Sequence, residues 1–182
     1  MRHRGAMELI AMKVSELMTT EVRACHPHDA LNRAAQLMWE NDCGAIPVID
    51  ASGKVIGILT DRDICMAAYT RGIPLAHARV ENAMSPHVAT CIATQTVASA
   101  AEQMRQRRVR RLPVIDDDGV LIGVLSLSDI VREAERNRAS KSRKRPMKDG
   151  ELIETIGAIS VPVRPARGVN GHRASSHESA HH

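Results

Sequence analysis

Residues 44–64 read GAIPVIDASGKVIGILTDRDI, and residues 110–130 read RRLPVIDDDGVLIGVLSLSDI. These stretches belong to a longer repeat, because placing Val14–Cys65 over Val80–Val131 without a gap gives 17 identical residues in 52 positions. Matches that are so many and so regularly ordered do not arise by chance. Two copies make a tandem pair rather than an open-ended solenoid.

Both copies show the same succession of apolar patterns and turn residues. In copy one we predict a short strand at 22–25 and a helix at 29–44, capped by Asp29 and ended by Gly44. Two strands joined by a tight turn follow at 45–49 and 54–59, and a second helix follows at 60–69. Copy two is predicted to form the same elements at 87–91, 96–108, 112–115, 120–125 and 126–136. Each unit is β-α-β-β-α, and its roughly 55 residues have too small a core to be stable alone. We therefore expect a mixed α/β (α+β) fold in which two copies pack sheet to sheet.

The charge of the chain changes after the second copy. Residues 1–135 hold 15 Lys and Arg against 17 Asp and Glu, whereas residues 136–182 hold 10 against 4. The apolar stretch Leu152–Val163 is predicted to add a strand or to cover a surface, and the chain from Pro162 onward is predicted to be disordered. The predicted organisation begins with an N-terminal extension at 1–13 and copy one at 14–72. A linker at 73–79 leads to copy two at 80–136, and a basic, largely disordered tail follows at 137–182.

Composition excludes several classes of function. The only aromatic residues among 182 are Trp39 and Tyr69, so stacking on single-stranded nucleic acid is nearly excluded. No apolar run is long enough to span a membrane, and the run within residues 1–12 is too short for a signal peptide, which predicts a cytoplasmic protein. No nucleophile–base pair or phosphate-binding loop is evident, and we expect no enzymatic activity.

The potential metal ligands and redox groups are sparse. The cysteines form no CxxC pair, which argues against disulfides and a structural zinc site and predicts small buried side chains; they are Cys25, Cys43, Cys65 and Cys91. His26, His28 and Asp29 lie close in sequence but lack a further ligand, so we expect a turn there and no metal.

The duplicated motifs resemble those of a tandem pair of cystathionine β-synthase (CBS) domains, also called a Bateman module. In copy one the motifs are Met18-Thr19, the strand at 44–50 and Gly57-Ile58-Leu59-Thr60-Asp61-Arg62-Asp63-Ile64. In copy two they are Met84-Ser85, the strand at 111–116 and Gly123-Val124-Leu125-Ser126-Leu127-Ser128-Asp129-Ile130. The resemblance covers about 14–135 and is more specific for the fold than for the ligand.

The resemblance implies a pseudo-two-fold module that usually forms a homodimer. It further implies clefts between the repeats that bind AMP, ADP or ATP, with S-adenosylmethionine or NAD(H) as further candidates and no required cofactor. In the family, the aspartate of the G-h-h-[T/S]-x-x-D motif holds the ribose hydroxyls and the hydroxyl residue lies beside the phosphate; these residues are Thr60, Asp63, Ser126 and Asp129. Its adenine pocket uses the segment before the first strand and the strand around the proline; these residues are Thr20, Val22, Ala45, Ile46, Pro47, Pro86, Val88, Arg111, Leu112 and Pro113. The chemistry suits a nucleotide, since a carboxylate accepts hydroxyl donors and a helix start offers free N–H groups to a phosphate.

The Thr60–Asp63 and Ser126–Asp129 pairs have a second interpretation. The same spacing fits a capping box that closes a helix N-terminus. The hydroxyl residues are compatible with both roles, whereas each aspartate is expected to face either the cap or a ribose.

Arg110 and Arg111 also have two interpretations. They are placed to clamp a phosphate, or they mark a solvated helix end where cations suit the helix dipole. Their counterparts in copy one are Gly44 and Ala45, so the two clefts differ and one bound nucleotide is as compatible with the sequence as two.

The sequence thus predicts a regulatory module that senses adenine nucleotides and signals to an effector protein. The alternative is a dimerising scaffold without nucleotide, whose basic run at 136–148 binds a partner or nucleic acid.

Overall fold

The computed structural model describes residues 12–139 and 148–160. The predictions made for residues 1–11, 140–147 and 161–182, including most of the basic run and the tail after Pro162, lie outside these residues. The helices are α1 to α6, at Val14–Leu17, Leu31–Glu40, Asp61–Arg71, Val97–Arg107, Leu127–Ala139 and Asp149–Ser160, with a 3₁₀ turn at Val80–Asn82. The strands are β1 to β5, at Ala45–Ile49, Val55–Thr60, Cys91–Ile92, Arg111–Ile115 and Leu121–Ser126.

The predicted mixed α/β (α+β) fold is confirmed. In each repeat two antiparallel strands have the same register, with Ala45 opposite Thr60 and Arg111 opposite Ser126. Two separate apolar cores are present, one between β1, β2, α2 and α3 and the other between β4, β5, α4 and α5.

The first strand of each copy is shorter than predicted. In copy one only Cys25 bridges Val48 of β1, and in copy two only Cys91–Ile92 forms a strand, parallel to β4. The preceding residues are not available to the same sheet because Thr19 pairs with Val124 of the other repeat, at 2.9 Å in both directions. Residues 20–24 must therefore span the gap between the repeats.

The first long helix does not begin as predicted. Asp29 is not its N-cap; the N-cap is Ala30, and Asp29 Oδ2 instead accepts from the backbone N–H of His26 at 2.7 Å. The backbone N–H of Leu31 donates to the carbonyl of Ala78, so a distant segment satisfies this helix end. The helix also ends at Glu40, and Gly44 lies just before β1.

The repeats exchange segments, which produces the pseudo-two-fold arrangement. Thr19 pairs with β5 of repeat two, and the equivalent Ser85 pairs with Ile58 of β2 in repeat one. Val14 correspondingly lies in the core of repeat two, and Val80 lies in the core of repeat one. The two repeats therefore complete each other rather than merely touch.

The apolar stretch that begins at Leu152, predicted to add a strand or to cover a surface, is helical in its described part and covers a surface of repeat two. Residues 149–160 form α6, which contacts α4 and α5 and buries Thr155 and Ile159. Leu152, Thr155, Ile156 and Ile159 follow the i, i+3, i+4, i+7 spacing of a helix with one apolar face, which explains why a helix forms instead of a strand. Within the described residues, no helix combines the length and apolar character that crossing a membrane requires.

Candidate functional site

A cleft of about 380 Å³ lies between the repeats, where β1 and β4 begin. Repeat one contributes the segment before its first strand, the turn after α2 and the start of β1: Thr19, Glu21, Val22, Arg23, Asn41, Asp42, Cys43, Gly44, Ala45 and Pro47. Repeat two contributes the start of β4, the end of β5 and the first turns of α5: Arg111, Val124, Ser126, Ser128, Asp129 and Arg132. We call this the inter-repeat cleft, because neither repeat forms it alone.

Six predicted ligand-binding residues line the inter-repeat cleft together: Val22, Ala45, Pro47, Arg111, Ser126 and Asp129. The pairing of Thr19 with Val124 brings them together, because it carries the first segment of repeat one to the carboxylate of repeat two. Their assignment to a ligand remains a prediction.

The other predicted residues lie outside the lining of this cleft. The second set belongs to the pseudo-symmetric position, where copy two crosses to β2: Thr60, Asp63, Pro86 and Val88. Thr20 belongs to the crossing segment but does not line the cleft, and Arg110 lines a neighbouring cavity.

Four predicted residues are buried. Ile46 is 1% exposed and Leu112 is 0% exposed, each in the core of its own repeat, and Pro47 and Pro113 are buried as well. Of these four, only Pro47 is among the residues that line the inter-repeat cleft.

Asp129 acts as a helix cap, lines the inter-repeat cleft and still has acceptor capacity. Its Oδ2 accepts from the backbone N–H of Ser126 at 3.0 Å and from Ser126 Oγ at 2.6 Å, while the Asp129 N–H donates to Ser126 Oγ at 3.2 Å. Its Oδ1 accepts one bond, from Arg132 at 2.7 Å. Since each carboxylate oxygen has about two acceptor positions, Oδ1 retains one of them. The cap expected for this aspartate is present and leaves one acceptor position on Oδ1, and the ligand role of Asp129 stays a prediction.

Asp63 repeats this geometry in copy one. Its Oδ2 accepts from the backbone N–H of Thr60 at 2.9 Å and from Thr60 Oγ1 at 2.7 Å. Among the described residues, its Oδ1 has no hydrogen-bond donor. Asp63 therefore provides a matched comparison for Asp129, with the same cap but away from the inter-repeat cleft.

The charges of the inter-repeat cleft are balanced. Three arginines and three acidic residues line it: Arg23, Arg111, Arg132, Glu21, Asp42 and Asp129. Sequence reasoning placed Glu21 only within the segment 20–22 and missed Arg132, Arg23, Asp42 and Ser128. A signal for Arg132 existed, because a basic residue three positions after Asp129 on a helix lies on the same face.

The cysteines divide into two classes. Burial raises the pKa of the Cys25 thiol to about 12 and that of the Cys91 thiol to about 11, as expected for small core side chains. Cys43 is partly buried and Cys65 is exposed, so the prediction of buried cysteines is wrong for Cys65. In the described part of the chain, no group of three or more His, Cys, Asp and Glu residues is arranged to hold a metal ion.

Comparison with known proteins identifies the same duplication. The family model described as the CBS domain matches residues 14–69 and again residues 80–136. The CBS domain-containing protein YhcV of Bacillus subtilis is 32% identical over 129 residues, covering 71% of this chain and 90% of that protein. The crystal structure of CBSX2 in complex with AMP has 25% identity and a TM-score of 0.62, covering 69% of this chain and 98% of the other. A homoserine O-acetyltransferase of Methanohalophilus mahii is 34% identical over 119 residues, which cover 65% of this chain but 24% of that protein.

Proposed function

This chain belongs to the CBS domain family, and on that premise we propose that it is a regulatory module without catalytic activity. In this proposal the inter-repeat cleft binds an adenosine-containing nucleotide of the AMP, ADP and ATP class, and an effector protein responds to its occupancy. Such a sensor acts in the cytoplasm, where these nucleotides occur.

The observation that carries the proposal is the placement of Asp129. Its Oδ1 retains an acceptor position at a cleft that also has an apolar side, and a ribose offers hydroxyl donors to such an acceptor. Val22, Ala45 and Pro47 provide the apolar walls that suit an adenine ring. A relative of the same fold that is described in complex with AMP supports this choice of ligand.

The way in which both repeats line the cleft explains how binding could be signalled to an effector protein. Because each repeat supplies one wall, a nucleotide bridges the two repeats and stabilises the arrangement that fits it best. A ligand shifts such an equilibrium only by its difference in affinity for two arrangements. The effector protein then recognises the arrangement that the nucleotide favours.

We also propose that the module forms a homodimer through α2 and α3. Both aromatic side chains of the chain lie exposed on these helices, Trp39 at 88% and Tyr69 at 83%, with Met66 at 48% nearby. In repeat two, α6 covers the equivalent side of α4, and the residue equivalent to Trp39 is Arg105. Aromatic residues and methionine are enriched in protein interfaces, and a second copy is the occupant that the two-fold architecture suits.

The test is calorimetric titration with AMP, ADP, ATP, S-adenosylmethionine and NADH. Asp129→Asn retains an oxygen for the cap but replaces the outward acceptor with a donor, so we expect about tenfold or greater loss of nucleotide affinity. Asp63→Asn is the matched control and is expected to leave binding at the inter-repeat cleft unchanged. Alanine is less suitable at either position because it removes the cap as well.

Two outcomes contradict the proposal. Equal losses for Asp129→Asn and Asp63→Asn would show that the inter-repeat cleft is not the site. Failure of every adenosine ligand to bind would leave both aspartates as helix caps only and favour the scaffold alternative, with its partner sought through the basic run at 136–148.

A further inference from the structure

Helix α6 covers one side of repeat two, whereas the equivalent side of repeat one is open. The ungapped alignment of the two copies places α2 and α3 over α4 and α5, so each repeat has a matching pair of helices. We call the outer side of α2 and α3 face one, and the outer side of α4 and α5 face two. The main contacts of α6 are with α4 and α5, so it lies on face two.

The burial of matched side chains shows how far this cover extends. At four matched positions the residue on face one is exposed and its counterpart on face two is partly buried; the pairs are Asn32 and Ala98, Gln36 and Glu102, Asp61 and Leu127, and Cys65 and Val131. Face two is therefore the covered version of a surface that face one presents to solvent.

Face two is also the more apolar of the two surfaces. Three of the matched positions change from a polar or thiol side chain on face one to an aliphatic one on face two: Asn32 to Ala98, Asp61 to Leu127 and Cys65 to Val131. From α6, Leu152 and Ile159 pack against the core of repeat two, and Ile156 lines a cavity together with α5. Without α6, face two would expose an apolar patch, and such patches promote association.

The helix α6 depends on this contact for its own structure. It has 12 residues, too few for a stable isolated helix in water. Packing does not require a glycine at position 157, since a Cβ on Gly157 meets no atom within 4 Å, and glycine weakens the helix further. The buried Thr155 hydroxyl donates to the carbonyl of Glu151 at 2.8 Å, so its proton is satisfied within α6. Detaching α6 therefore leaves the strand pairing of repeat two in place.

Charge makes α6 specific for face two. Arg105 of α4 donates two hydrogen bonds of 2.7 Å to Glu102. Both residues line a small cavity with Glu151 and Glu154 of α6, so the guanidinium lies between carboxylates of the two helices. On face one the counterpart of Arg105 is Trp39, and the glutamates of α6 would find no cation at that position. The cover thus fits face two and leaves face one free.

We propose that α6 is an autoinhibitory cover that keeps a second copy of this chain from docking on face two. The inference rests on the proposed homodimer, which uses face one. Face two presents the same helix pair in the same order, and a second copy that meets it with its own face two completes a two-fold contact. While α6 is docked, only face one is open to a second copy. When α6 detaches, face two becomes a second docking surface.

The experiment compares variants of α6 in the full chain that also carries Trp39→Glu, which is expected to be monomeric. Ile159→Glu places a charge in the buried contact of α6, so we expect α6 to detach and the monomer to shift to a dimer in sedimentation equilibrium. Ile153→Glu is the matched control on the same helix, since Ile153 is 70% exposed, and this chain should stay monomeric. Ile156→Glu is a second detaching variant that disturbs the core less, because Ile156 is only partly buried.

Hydrogen exchange reports on α6 without any loss of packing. In the unaltered chain the amides of α6 should exchange faster than those of α4, because α6 opens by itself and α4 opens only with its repeat. Gly157→Ala favours the helix and should slow exchange in α6 by up to about fivefold. In Ile159→Glu the protection of α6 should be lost while that of α2 remains.

The outcomes separate this inference from the proposed homodimer. The inference is overturned if α6 and α4 of the unaltered chain exchange at equal rates, because α6 then does not open separately. It is also overturned if Ile159→Glu releases α6 and the chain with Trp39→Glu stays monomeric, or if Ile153→Glu dimerises to the same extent. If Trp39→Glu by itself is still dimeric, the proposed interface on face one fails instead, and hydrogen exchange still decides whether α6 is a releasable cover.

Discussion

Replacing Gly123 by alanine tests the close approach that joins the two repeats beside the inter-repeat cleft. A Cβ at this position would lie 2.6 Å from Met18 Sδ and 3.1 Å from the carbonyl oxygen of Thr19. The methionine side chain is flexible and can move, but the Thr19 backbone cannot easily do so, because it exchanges two hydrogen bonds of 2.9 Å with Val124.

The expected cost follows from this geometry. Adding a methyl group to a well-packed site costs about 1–3 kcal/mol, and each kcal/mol lowers Tm by roughly 2–4 °C in a protein of this size. We therefore expect Gly123→Ala to lower the free energy of unfolding by about 2 kcal/mol in a chemical denaturation experiment. Gly57→Ala should behave alike, since its Cβ would lie 2.9 Å from Met84 Sδ and 3.0 Å from the Ser85 carbonyl.

The matched control is Gly157→Ala in α6, where a Cβ meets no atom within 4 Å. Alanine has the higher helix propensity, so this variant should be neutral or more stable by up to about 1 kcal/mol. A double variant, Met18→Ala with Gly123→Ala, should lose less stability than the two single variants added together, because the alanine at position 18 removes the sulfur contact. The reasoning is refuted if Gly123→Ala is as stable as Gly157→Ala, because the repeats then do not approach at this point.

Two further predictions concern thiols and assembly. Folded protein at pH 8 should alkylate rapidly at Cys65 and slowly at Cys25 and Cys91, and only denaturant should equalise the rates. Because folding raises the pKa of Cys25 and Cys91, unfolding releases protons above pH 9, so the free energy of unfolding should fall as pH rises from 9 toward 11; a flat profile there contradicts their burial. Trp39→Glu should convert dimer to monomer in sedimentation equilibrium, whereas Ile153→Glu on α6 should not; a dimer that survives Trp39→Glu uses another face.

Local sequence predicted elements whose signals lie within a few residues. Thr60 caps α3 as expected, accepting from the backbone N–H three residues later. Thr96, predicted only as the first residue of its helix, caps α4 in the same way. Asp29 failed as a cap because the carbonyl of Ala78, 47 positions after Leu31, accepts from the Leu31 N–H at that helix end. The helical spacing of 152–159 was present in the sequence, but α6 depends on packing against α4 for its stability.

The candidate site was predicted only in part. The family motifs identified Ser126 and Asp129, and the basic residues before β4 were also noted in the sequence, whereas Arg132 became evident only from the arrangement around Asp129.

The sequence by itself determined that the chain is a duplicated β-α-β-β-α unit and which residues are candidates to bind a nucleotide. The repeat, the helix caps and the apolar spacing can all be recognised from the order of residues along the chain. Tertiary structure decided which segment of one repeat pairs with which strand of the other. The hydrogen bonds between Thr19 and Val124 join backbone groups. Because every residue has these groups, no pattern of side chains predicts the pairing. That pairing places the first segment of repeat one beside Asp129 rather than Asp63. It thereby creates a cleft that both repeats line and neither forms alone.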